Sequence, residues 1–132
     1  GLELLRKVGL GYLKMGQSTD TLSGGEAQRL KLASYIGAGN KMDKTLFIFD
    51  EPTTGLHYYD VDMLFNSLKE LILKGHTICY IEHNIELIKR ADWIIELGPE
   101  GGDQGGYLIF QGNIENFLKS DTITTKYLNK AN

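Results

Sequence analysis

Three groups of residues in this sequence have side chains and spacings suited to phosphate chemistry. Asp50 and Glu51 follow the apolar run Leu46, Phe47, Ile48, Phe49, so a strand would deliver both carboxylates to its carboxyl edge, where open parallel sheets bind ligands. A hard cation takes oxygen ligands, and in-line phosphoryl transfer needs a polarised nucleophile. Neighbouring strand residues face opposite sides, so the two carboxylates are expected to play different roles. Ser23 and Glu26 have the spacing of a capping box, which starts a helix. Between them, Gly24 and Gly25 leave the first turn bare, so a phosphate can approach free N–H groups at the positive end of the helix. Two glycines weaken a helix with no evident structural return, which favours phosphate binding. His83 comes directly after the apolar run 77–81 and Glu82, where it can hydrogen-bond a γ-phosphate; alone, a histidine there is an ordinary surface or cap residue.

Positioning these groups requires alternating strands and helices, an α/β arrangement with a mostly parallel sheet and flanking helices. Residues 45–49, 77–81 and 93–97 are short apolar runs suited to buried parallel strands. Ala27, Leu30, Ala33 and Tyr35 continue the helix begun at Ser23. Val61, Leu64, Phe65, Leu68, Leu71 and Ile72 form one stripe of a helix over 59–73, which ends at Lys74-Gly75. Asn84 caps a helix predicted to reach Arg90, with Ile85, Leu87 and Ile88 as its apolar surface. A glycine-rich turn at 101–106 leads to a strand over 107–111 and a short helix over 114–118. Residues 37–44 read as a flexible loop. The tail, 120–132, is polar enough to fray, although Tyr127 and Leu128 could dock it.

The 132 residues, 42% hydrophobic, suit one compact unit with a buried core. A formal charge of -3 gives no general attraction to a phosphate backbone, so any nucleic-acid contact must come from a local patch or from missing parts. The single cysteine, Cys79, can form no internal disulfide or metal cluster unaided and is expected to be a small buried side chain. His76, in the turn after Gly75, is expected to be solvated. No stretch approaches the roughly 20 apolar residues of a membrane span, and no leader pattern opens the chain, which suggests a cytosolic piece. The chain begins at Gly1 within an apolar pattern (Leu2, Leu4, Leu5, Val8), which suggests a domain excised from something longer.

A phosphate-cradling G-x-x-x-x-G-K-S/T segment is missing. The nearest candidate, Lys44-Thr45, has Asp43 where glycine should stand before the lysine and Ala38 where the first glycine belongs. It also leads into a strand instead of following one. The chain is therefore expected to bind ATP poorly and not to turn it over alone.

The sequence is similar to the ATP-binding-cassette ATPases, a branch of the P-loop NTPases. Leu22-Ser23-Gly24-Gly25-Glu26-Ala27-Gln28-Arg29 resembles their signature motif, residues 46–51 their Walker B segment, and His83 their switch histidine. The resemblance implies that Ser23, Gly24, Gly25, Glu26 and Gln28 contact a nucleotide held by another cassette. It implies that Asp50 holds Mg²⁺ through water, that Glu51 orients or deprotonates the attacking water, and that His83 senses the γ-phosphate. Gly55 and His57 lie in the loop that meets the composite interface, and His57 stands where many cassette proteins carry an aspartate.

Within the cassettes the sequence most resembles the UvrA family. Val8-Gly9-Leu10-Gly11-Tyr12-Leu13, Gly16-Gln17, Asp50-Glu51-Pro52-Thr53-Thr54-Gly55-Leu56-His57 and Ile81-Glu82-His83-Asn84 carry the likeness. So does Ala91-Asp92-Trp93-Ile94-Ile95-Glu96-Leu97-Gly98-Pro99-Glu100-Gly101-Gly102-Asp103, after which Gln104 breaks the usual glycine string. The resemblance implies the last part of a second cassette, with the Walker A half missing. It also implies a full-length homodimer that hydrolyses ATP with Mg²⁺, recognises damaged double-stranded DNA in nucleotide excision repair and passes it to UvrB. Zinc belongs to the full-length family, but its cysteine ligands precede this stretch. The alternatives are a transporter nucleotide-binding subunit, expected to carry aspartate at position 57 and to lack the 93–103 motif, and a non-catalytic cassette interaction module.

Overall fold

Apolar runs broken by Pro52, Gly55 and Gly75 divide the chain into short strands and amphipathic helices. The computed structural model describes residues 2–13, 16, 18–38, 43–100, 102 and 105–130. The chain forms two compact units, Gly1–His83 and Asn84–Asn132.

The first unit contains α1 (Leu2–Lys7), a 3-10 turn (Thr19–Thr21), α2 (Gly24–Gly37), β1 (Leu46–Asp50), α3 (Tyr58–Leu73) and β2 (Thr77–Ile81). β1 and β2 pair in parallel, with Leu46 opposite Thr77 and Asp50 opposite Ile81, and α3 is the crossover that parallel pairing requires. Phe47 and Phe49 alternate onto the buried face of β1. They join Leu64, Leu68 and Leu71 of α3, Leu32, Ala33 and Ile36 of α2, and Val8 and Leu10 in one core. A fully buried leucine contributes about 1.5–3 kcal/mol, so α3 is held by its stripe. Ile72, placed on that stripe by sequence, is 43% exposed.

Several expectations about this unit change. α2 continues from Ser23 as expected and buries Gly25, Arg29, Leu32, Ala33 and Ile36, with the Arg29 guanidinium bonded internally. Cys79 is exposed, because it shares the outer face of β2 with Thr77 and Ile81, across from exposed Leu46 and Ile48 of β1. His76 is buried: its Nδ1 accepts from the Thr45 N–H at 3.2 Å and its ring stands edge-on to Phe47. Of the loop expected over 37–44, residues 39–42 lie outside the described residues, as does Gln17.

The second unit contains α4 (Ile85–Ile88), β3 (Trp93–Gly98), β4 (Tyr107–Asn113), α5 (Ile114–Leu118) and α6 (Ile123–Lys130). Asn84 caps α4 by accepting from the Glu86 and Leu87 N–H groups, but the helix stops at Ile88, short of Arg90. The run at 93–97 is not a buried parallel strand. β3 pairs antiparallel with β4, and Trp93, Ile95 and Leu97 are each about 60% exposed. Apart from Glu96 its residues are apolar on both faces, so periodicity could not distinguish a strand covered on both faces from one covered on one. Phe110 packs against Phe117 of α5, with ring centroids 5.1 Å apart. Within the tail, Ile123–Lys130 is helical. Thr122 and Thr125 exchange backbone-to-hydroxyl bonds at 3.0 and 3.2 Å in the manner of a capping box, and Leu128 is buried. Thr124 donates to Glu96 Oε1, tying α6 to β3. Gly101, Asp103 and Gln104 of the glycine-rich turn, and residues 131–132, lie outside the described residues. No helix among the described residues is long and apolar enough to cross a membrane.

Candidate functional site

Asp50 ends β1 and Glu51 begins the loop to α3. The Glu51 N–H still donates to Ile81 O at 2.9 Å, but its φ of 46° breaks the strand there. A left-handed backbone at a residue with a side chain costs about 1–3 kcal/mol and persists only where its surroundings hold it. Several contacts do so here. Thr54 N–H donates to Glu51 O at 3.0 Å, and Leu56 N–H to Thr53 O at 2.9 Å. Glu82 Oε1 accepts from Thr53 N–H at 2.8 Å, while its Oε2 accepts from His83 N–H at 3.1 Å. Gly55, at φ 75°, takes the second left-handed position, with nothing near the place a Cβ would occupy.

The bend brings the carboxylate of Glu51 to His83: Oε1 lies 3.4 Å from Nε2, with 85% of the histidine side chain and 50% of the glutamate side chain exposed. So exposed a pair adds at most about 1 kcal/mol to stability. It stays open to a ligand. Asp50 is also exposed. Asp50, Glu51 and His83 thus gather at the carboxyl ends of two adjacent parallel strands.

At the start of α2 the capping box forms as its spacing requires. Ser23 Oγ accepts from Glu26 N–H at 3.3 Å and Glu26 Oε2 accepts from Ser23 N–H at 2.7 Å. Tyr12 OH donates to the other oxygen of Glu26. The Tyr12 bond first, then the Ser23 backbone bond, hold the Glu26 carboxyl below its ordinary value; burial first, then Glu26, raises Tyr12. The two glycines differ. A Cβ on Gly24 would meet nothing within 4 Å, whereas one on Gly25 would lie 3.1 Å from Arg29 Nη1 and 3.3 Å from Thr54 O. Gly24 is open to a ligand, but Gly25 has the structural return that sequence could not supply: it makes room for Arg29.

Gln28, expected at the nucleotide, has its amide engaged with the protein. Nε2 donates to Asp50 O at 3.0 Å and Oε1 accepts from Asp50 N–H at 3.1 Å. His57 precedes α3 at its N-cap position without capping it, exposed and stacked on Tyr59 at 6.1 Å.

Two residues escaped sequence reasoning. Arg29 is 1% exposed, and its Nη1 donates to Pro52 O at 2.8 Å and Thr54 O at 3.0 Å; burial lowers its pKa from the ordinary arginine value. Its signal was a cation four residues after Gly25, on what proves to be the buried face. Glu82, whose carboxylate ties the Thr53 and His83 N–H groups together, carries no spacing signal of its own. No group of three or more His, Cys, Asp or Glu among the described residues could hold a metal ion.

No family model matches the chain. It is 54% identical over 118 residues to UvrABC system protein A of Mesorhizobium japonicum, covering 89% of this chain and 12% of that protein. It is 51% identical over 130 residues to UvrABC system protein A of Aquifex aeolicus, covering 98% and 14%. The crystal structure of UvrA2 from Deinococcus radiodurans matches with a TM-score of 0.89 and 37% identity, over 98% of this chain and 16% of that one. A bacterial Atm1-family ABC exporter with ATP bound matches at a TM-score of 0.63 and 21% identity, over 98% and 23%; at that identity only the fold is shared. The chain therefore has the fold of the corresponding part of an ABC-type P-loop ATPase domain. It spans 12–14% of the length of these curated relatives. With half of its residues shared over nearly its whole length, the chain belongs to the UvrA family, as a segment of it.

Proposed function

We propose that this chain contributes to two composite ATP sites of a damage-recognition ATPase in bacterial nucleotide excision repair. The observation that carries this is the meeting of Glu51 and His83 at 3.4 Å beside Asp50, at the carboxyl edge of a parallel strand pair. Glu51 acts as the base or orienter for the attacking water, and His83 contacts the γ-phosphate. Asp50 would hold Mg²⁺ through water; when bound, the ion offsets phosphate charge. Ser23, Gly24, Gly25 and Glu26 form the helix start that receives a nucleotide from another cassette, Gly24 by its open first-turn backbone. Gly55 and His57 lie at the interface between cassettes.

The phosphate cradle must come from other polypeptide, so the isolated chain binds ATP poorly and turns it over negligibly. The first partner is the rest of the same polypeptide. Leu46 and Ile48 of β1 and Ile81 of β2, all more than half exposed, form an apolar face suited to burial against it. The full-length protein is a cytoplasmic homodimer that binds damaged double-stranded DNA and UvrB, and it carries zinc outside this segment. The transporter alternative has only fold similarity behind it.

The test is steady-state ATP hydrolysis by the full-length protein containing this segment. Glu51→Gln should lower turnover about 10²–10⁴-fold while nucleotide binding persists. Unchanged turnover would reject the assignment.

A further inference from the structure

Two nucleotide-facing elements of the first unit, the start of α2 and the loop after β1, are tied together by side chains. Gln28 holds Asp50 by both its N–H and its C=O, at 3.1 and 3.0 Å. In a parallel strand these two groups of one residue point to the same side. At Asp50 that side is away from β2, since the next N–H, that of Glu51, is the one that donates to Ile81 O. The Gln28 amide therefore takes the place of a neighbouring strand at this one residue. Arg29 reaches one step further along the loop, to the carbonyls of Pro52 and Thr54. Glu51, at φ 46°, lies between the two anchor points.

We propose that Gln28 and Arg29 form a strut through which the position of the α2 N-terminus sets the backbone of Glu51, making both positioning residues that couple one nucleotide pocket to the other. The inference rests on the functional reading above. A phosphate docking on the first turn of α2 displaces or fixes that helix, and four hydrogen bonds carry the change to the residues that bear the carboxylates. The left-handed Glu51 supports this role, because such a backbone is kept only where its neighbours over-determine it. The glycine at position 25 follows from the same arrangement, since a Cβ there would press on Arg29 and on Thr54 O.

The test uses the full-length protein with Gln28→Leu, which keeps the side chain's bulk and removes both bonds to Asp50. The strut predicts a kcat lower by about tenfold or more with the KM for ATP within about twofold, the pattern of a lost transition-state interaction. It also predicts that Gln28→Leu combined with Gly24→Ala falls well short of the product of the single losses, because both act on one path. A merely structural Gln28 would lower the melting temperature and leave kcat per folded site unchanged. Should Gln28→Leu not fold, Arg29→Lys, which keeps the charge and one donor arm, should show a smaller loss confined to kcat. Normal kcat in the folded variant, or losses that multiply independently, would overturn the strut while Glu51→Gln remains inactive. Turnover surviving in Glu51→Gln would instead reject the site, and the strut with it.

Discussion

Glu51 and His83 meet only because the Glu51 backbone turns left-handed: φ is 46°, and Oε1 then lies 3.4 Å from Nε2. Replacing the residue by glycine relieves the conformation and loses an exposed pair and a 3.4 Å hydrogen bond from Thr54 Oγ1, also at the surface. Glu51→Gly should therefore raise the stability of this chain by up to about 1 kcal/mol, while removing turnover from the full-length protein. Chemical denaturation of the chain checks the first part, and a loss exceeding about 1 kcal/mol would show that the side chain supports the fold.

The two glycines of the capped helix should respond in opposite ways. Gly25→Ala forces a Cβ against Arg29 Nη1 and Thr54 O, which should cost about 1–3 kcal/mol. Gly24→Ala meets nothing within 4 Å and should be neutral or stabilising by up to about 1 kcal/mol. Equal destabilisation by the two in thermal melts would contradict this geometry.

Glu26 gives the fold an acid-sensitive contact. Its carboxyl is held below the ordinary value by Tyr12 and Ser23. A depressed folded value means that the contribution is present above the unfolded pKa and is lost as pH falls through the folded one. In Glu26→Gln, which can still accept from Ser23 N–H, the stability deficit relative to the parent should be visible at neutral pH and shrink on acidification. A deficit independent of pH would remove the charge from the explanation.

Cys79 reports on the uncovered face of β1 and β2. Exposed in this chain, it should react readily with a thiol reagent in the folded fragment. On the proposal that further polypeptide covers Leu46, Ile48 and Ile81 in the full-length protein, its labelling should slow markedly there. Equal rates in both would argue that the face stays bare.

Much of the site could be read in the residues because local rules govern it. Ser23 and Glu26 sit one helical turn apart and cap reciprocally, Asp50 follows an apolar run and so ends a strand, and the stripe through Leu64, Leu68 and Leu71 specifies α3 whatever surrounds it. Asn84 caps α4 for the same reason. These are interactions over three or four residues, and sequence spacing determines them.

Tertiary contacts decided the rest. Gln28 could be placed on Asp50, Arg29 on Pro52 and Thr54, and His76 against Phe47 and Thr45 only once segments 22 to 31 residues apart were brought together. No local pattern encodes which polar side chain will satisfy a distant backbone group. The exposure of Cys79 and of Trp93, Ile95 and Leu97 was equally unreadable, because hydrophobicity shows that a strand face is apolar but not whether anything lies over it. Which residues form the elements was written locally; which face is covered, and which side chain holds which loop, depended on distant backbone and packing partners.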